Sequence, residues 1–144
     1  MIKNICVTIF LCLISLPSFS QTMFQCGGNS GYSYFFEGSI VNSSSAGWDT
    51  DGTSTGKYSL VGKQDQLDLL FVDATGQIIS AVADGGTVIL LGQGNGTATI
   101  LVNYPNQVAE LYYFNLKTKK YSLNQIKYGE SRIHKSSAYV GDCY

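Results

Sequence analysis

The stretch from residue 66 to residue 116 reads QLDLLFVDATGQIISAVADGGTVILLGQGNGTATILVNYPNQVAELYYFNL, and it decides the fold. Apolar runs at 66–72, 77–83, 87–91, 97–104 and 108–116 are rich in Val, Ile, Thr and aromatics, the residues that suit a pleated, half-buried surface. Their period is two. Leu67, Leu69 and Phe71 point one way and Asp68 the other; Val108, Glu110, Tyr112, Phe114 and Leu116 share a face opposite Ala109, Leu111 and Tyr113. Turn chemistry separates the runs: Asp73-Ala74-Thr75-Gly76, Asp84-Gly85-Gly86, Gly92-Gln93-Gly94-Asn95-Gly96 and Pro105-Asn106. A meander of about five antiparallel strands is expected.

Outside this stretch, GYSYFFE at 31–37 places Tyr32, Tyr34 and Phe36 on one face, and shorter strands fit 57–61, 121–125 and 133–140. The expected fold is all-β: a small antiparallel β-sandwich or barrel of about eight short strands. Composition agrees. Among 144 residues, hydrophobic residues make up 44% and charged residues 13%, with Gly at 16, Tyr at 10 and Pro at 2. So little charge excludes a disordered tail, a coiled coil or a polybasic nucleic-acid arm.

Residues 1–20 have the form of a secretory signal peptide. Lys3 gives a positive start, 5–16 is an apolar run too short to span a bilayer comfortably, and Ser18-Phe19-Ser20 places small residues before a cleavage site at Gln21. The expected domain is 21–144, exported to the periplasm or the extracellular space with no stable membrane anchor after cleavage. Export leaves Cys26 and Cys143 as the pair available for a disulfide joining the two termini, with Cα atoms within about 7 Å. A metal pair lacks partners, since His134 is the single His. No metal and no cofactor are expected.

Charge is unevenly spread. Lys117, Lys119, Lys120, Lys127, Arg132 and Lys135 crowd the C-terminal part, while Glu37, Asp49, Asp51, Asp65, Asp68, Asp73 and Asp84 precede Gly85. The polar segment 42–56 reads as the longest irregular loop, either functional or mobile. Within it Trp48, beside Asp49 and Asp51, is expected to plug an open end of the fold, with an exposed anchor for a partner as the other reading. The Tyr content resembles that of protein-binding surfaces, although Tyr is also a good strand residue.

Catalytic signatures fail on inspection. Ser54-Thr55-Gly56-Lys57 has the spacing of an S-x-x-K pair but lacks its helix and companion motifs. The segment 52–57 is one residue short of a phosphate-binding loop, and Gly92–Gly96 precedes a strand rather than a helix. Asp49-Thr50-Asp51-Gly52 opens like a calcium loop, yet Ser54 and Leu60 occupy the positions that need Gly and Glu. His134 has no nucleophile elbow near it in sequence. An enzyme is not expected.

The layout resembles that of the small periplasmic inhibitors of c-type lysozyme. The shared features are an export leader, Phe24-Gln25-Cys26 at the start, a Cys at the far end and β structure between. Ser54-Thr55-Gly56-Lys57-Tyr58 loosely follows their S-G-x-x-Y loop with Thr55 intervening, and their aromatic-Trp-x-x-Gly stretch is missing. The resemblance implies a class of function. The expectation is a soluble protein-binding module that neutralises a cell-wall hydrolase or a secreted toxin, using Trp48, Asp49, Asp51, Ser54, Lys57 and Tyr58. The other readings are a carrier of a small apolar ligand in a β-barrel and a subunit of a cell-surface assembly. No nucleic-acid partner is expected, and the sequence leaves the oligomeric state open.

Overall fold

The computed structural model describes residues 21–63, 66–73 and 75–144; the expected leader, 1–20, lies outside them, as do Asp65 and Ala74. The described residues form ten strands and no helix: β1 (Gln21–Phe35), β2 (Gly47–Thr53), β3 (Tyr58–Lys63), β4 (Gln66–Val72), β5 (Ile78–Ser80), β6 (Thr87–Gly94), β7 (Thr97–Tyr104), β8 (Val108–Asn115), β9 (Lys120–Lys127) and β10 (Lys135–Cys143). All pair antiparallel in one sheet of order β5-β4-β3-β1-β10-β9-β8-β7-β6, with β2 beside β1. The sheet curls into a half-barrel. The fold is therefore all-β as expected, barrel-like, with slightly more strands than eight.

Two elements differ from the sequence reading. The meander is broken: β4 and β5 form a hairpin and β6, β7 and β8 a three-stranded run, but β5 and β6 stand at opposite ends of the sheet. The cause lies at 81–86. Ala81 is buried and donates its N–H to the Leu69 carbonyl at 2.9 Å, and Gly86 N–H bonds back to Ala81 at 2.8 Å. This knot ends β5 after three residues and sends the chain to the other edge.

The second difference is the loop 42–56, half of which is strand. β1 is 15 residues long, and β3 pairs only with its start, from Gln21 to Cys26. That leaves the edge from Asn29 to Phe35 open, and β2 fills it in the register Asn29↔Thr53 to Phe35↔Gly47. Gly52, one of the residues that made the segment read as a loop, is needed there. It has φ +155°, and a Cβ would lie 2.3 Å from the Asn29 carbonyl oxygen.

The alternation expected for β8 holds. Tyr112 and Phe114 are buried while Leu111 and Tyr113 are exposed. With Ile100, Val102, Tyr121, Leu123, Phe24, Leu60 and Leu69 they form the core on the concave side. Phe114 is its centre, with ring centroids 4.9 Å from Phe24, 5.9 Å from Tyr112 and 6.0 Å from Tyr121. Each such side chain contributes about 1.5–3 kcal/mol by leaving water. Cys26 and Cys143 are register partners on β1 and β10 and form the disulfide, with Cα atoms 3.8 Å apart.

β1 and β10 approach so closely that a side chain cannot enter between them at Gly31, where a Cβ would sit 2.0 Å from the Ala138 carbonyl oxygen. Gly31→Ala is expected to cost about 1–3 kcal/mol in urea unfolding through forced backbone displacement. Gly94→Ala, where a Cβ meets nothing within 4 Å, serves as the neutral control.

Candidate functional site

The six residues singled out from sequence fall in separate places. Strand alternation sends Trp48 to the convex face and Asp51 to the concave one. Asp49, at the exposed start of β2, accepts the Thr50 N–H at 2.7 Å. Ser54 and Lys57 lie exposed in the turn before β3. Tyr58 turns inward, its ring 5.6 Å from Tyr121 and 6.0 Å from Tyr112.

Asp51 belongs to a polar network on the inner wall. Its Oδ2 accepts from Ser33 Oγ at 2.6 Å and Tyr139 OH at 2.6 Å, and it pairs with the Lys135 ammonium. Lys135 also donates to Tyr139 OH at 2.9 Å, and Ser137 Oγ lies 2.6 Å from Ser33 Oγ. Burial opposes ionisation of Asp51, but Lys135, Ser33, Tyr139 and the Gly52 N–H outweigh it and hold the carboxyl far below the usual range. Lys135 is held above its usual value: burial alone would lower it, and the bonds to Asp51 and Tyr139 reverse the sign. Ser33 is sealed at 0% exposure, so its hydroxyl has no route to a substrate. His134 lies apart, its Nε2 3.1 Å from the Gly129 carbonyl oxygen. With its Oδ2 saturated by three donors, Asp51 is a poor partner for Asp49 in a cation site. Among the described residues no three His, Cys, Asp or Glu converge on a metal position.

A cavity of about 340 Å³ opens on the concave side, where β4, β7 and β9 end and β8 begins. Tyr58, Phe71, Tyr104 and Tyr112 form much of its wall, with Glu110, Gln125, Lys127 and Asp84 among them. Glu110 Oε2 accepts from Tyr112 OH at 2.9 Å and Oε1 from Gln125 Nε2 at 2.6 Å. Burial pushes the Glu110 carboxyl up against those bonds, and burial together with nearby Lys135 pushes Lys127 down. The interior of the half-barrel is thus filled at its apolar floor and open at its mouth. One signal for this site stood in the sequence, a carboxylate at position 110 on an otherwise apolar face.

The convex face is the larger feature. Cross-strand register aligns Trp48, Tyr34, Ser136, Ile126, Ala109 and Asn103 in one row. The next row is Thr50, Tyr32, Ala138, Asn124, Leu111 and Leu101, and the third is Gly52, Ser30, Val140, Ser122, Tyr113 and Thr99. No position in the three rows is charged. Trp48 is 72% exposed and Tyr32 60% exposed, so Trp48 is not a plug. Its register with Tyr34 fixes it outside, where the two rings pack edge-on at 5.5 Å and Tyr34 meets Phe36 at 5.0 Å. Between Trp48 and Leu111 runs a groove of about 380 Å³ floored by Ala138, Ile126 and Leu101. Sequence reasoning missed this face because its residues come from six strands and align only through register.

Comparison with known protein families, curated proteins and solved structures finds no match for this chain.

Proposed function

We propose that this is an exported protein-binding module, an inhibitor or immunity protein that docks a hydrolase or toxin on its convex face and is not itself an enzyme. The observation carrying the reading is the run of three charge-free rows ending in a cluster of the exposed Trp48 and Phe36 about the half-buried Tyr34. Ordinary protein surface is rich in Lys, Glu and Asp, and depletion of charge with aromatic enrichment marks the centre of interfaces. A sheet held by hydrogen bonds on both sides and closed by a disulfide presents such a face with little ordering cost. The disulfide also fits an oxidising compartment, periplasmic or extracellular. Any hydrolase or toxin bound here would meet an apolar surface edged by Trp48.

A second reading has its own support. β6 ends the sheet, and its Ile89, Leu90 and Leu91 are exposed beside a free edge, as in a subunit that adds strands in a surface assembly.

Affinity capture from a cell-envelope extract distinguishes these. Recovery of one stoichiometric protein whose hydrolytic or toxic activity falls on binding is the expected result. Trp48→Ala is expected to weaken that complex by about 2 kcal/mol or more, roughly thirtyfold. The variant's own unfolding free energy should stay within about 0.5 kcal/mol of the parent, because the ring is exposed. Recovery of lipid alone, or of copies of the same chain alone, refutes the docking reading.

A further inference from the structure

The concave cavity has no role in docking on the opposite face, and its chemistry is specific. Glu110 and Lys127 both border it. They stand on neighbouring strands but not opposite one another: Glu110 faces Gln125, and Lys127 faces Val108. That diagonal separates their Cα atoms by roughly 7–8 Å. Among the described residues the ion pairs within 4 Å are Lys120 with Asp142 and Lys135 with Asp51, so neither Glu110 nor Lys127 is neutralised by a direct partner. Opposite charges drawn out of water without pairing are costly, and a molecule that meets both removes the cost. The rest of the wall includes Tyr58, Phe71 and Tyr104, with Asp73 and Asp84 also bordering the cavity. A volume of about 340 Å³ is at the small end for ligand sites and excludes a lipid-sized guest.

We infer that the mouth of the half-barrel binds a small zwitterion of the amino-acid class, with its ammonium on Glu110, its carboxylate on Lys127 and an apolar side chain against Tyr58, Phe71 and Tyr104. Glu110 can accept this role without rearrangement, since Tyr112 and Gln125 already orient its carboxylate. A purely apolar guest would leave both charges unmet, which separates this site from a carrier of apolar ligands.

Titration calorimetry of the purified protein with L-phenylalanine, L-tyrosine and L-leucine tests the inference. At least one is expected to bind with a dissociation constant of about 1 mM or tighter. Phenethylamine and hydrocinnamate, which each lack one charge of phenylalanine, should bind at least about tenfold more weakly. Glu110→Gln keeps the shape of the site and should abolish the advantage of phenylalanine over hydrocinnamate, while Lys127→Met should abolish its advantage over phenethylamine. The analogue series on the parent protein stands even if a variant misfolds, and Trp48→Ala should leave all these affinities unchanged. No binding by any of the three amino acids overturns the inference, as does equal binding of the charge-deleted analogues.

Discussion

Replacing both Cys26 and Cys143 by Ser is expected to lower the unfolding free energy by about 4–5 kcal/mol, the largest single effect in this molecule. The two residues are 117 apart in sequence, so reduction frees nearly the whole domain in the unfolded state. In the chain-entropy account that freedom, rather than any contact in the native sheet, is what the bond removes. The local structure adds a reason for sensitivity. Cys26 sits just before the register shift that precedes Asn29, where β1 leaves β3 and begins pairing with β2, and Cys143 ends β10 beside it. Without the bond, the seam between the two halves of the sheet is held there by few ladder bonds. Next to it the Tyr144 N–H bonds to the Gln25 carbonyl at 3.0 Å across this seam. Urea unfolding of the oxidised and Cys-free proteins measures the difference. A loss below about 1 kcal/mol would mean that the unfolded chain is already compact about this pair, contrary to the loop argument.

Period-two patterning foretold β4 and β7 through β9, because each strand there buries one face and its turns carry Gly, Asn or Pro where the backbone needs them; β6 is exposed along nearly all its length, and only its apolar run marked it as a strand. Cysteine arithmetic foretold the disulfide, because a leader read over 1–20 leaves two Cys with few alternatives. Patterning could not foretell pairing order. Nothing in Gln77–Ala83 marks Ala81 as the point where the chain leaves one edge for the other; that follows from a buried N–H finding Leu69. β2 was hidden for another reason. Its sequence, GWDTDGT, has a Gly demanded by close approach to β1 and an Asp demanded by Lys135, so both the loop-forming and the charged residues are answers to tertiary neighbours. The plug expected of Trp48 fails for the same cause, and the other reading, an exposed residue, is the one its 72% exposure fits. A strand assignment at 47–53 would have placed it with Tyr34 and away from Asp51 by parity alone.

Asp51→Asn is expected to cost about 2–3 kcal/mol at neutral pH. This is less than the loss typical of a fully buried pair, because the Asp51 side chain keeps 21% of its exposure against 12% for Lys135. The amide cannot neutralise Lys135, and its oxygen accepts more weakly from Ser33 and Tyr139, so a half-buried ammonium is left with hydroxyl partners alone. The sign of the pH dependence follows. A carboxyl whose folded value is depressed contributes stability that is fully present above its unfolded value of about 3.9 and is lost as pH falls toward the folded value. Lys135, raised on folding, contributes stability present below about 10.5 and lost as pH rises through its folded value. Glu110 runs against Asp51 on the acid side: its raised carboxyl takes up a proton more readily when folded, which favours the folded state as pH drops. The parent protein's acid limb therefore mixes opposing trends. Subtracting the stability of Asp51→Asn from that of the parent removes Glu110, which both proteins share. The difference should be flat from about pH 5 to 9 and shrink below about pH 4. A difference that holds constant down to pH ~2 would show that Asp51 is not ionised in the network and that Lys135 is satisfied by other groups.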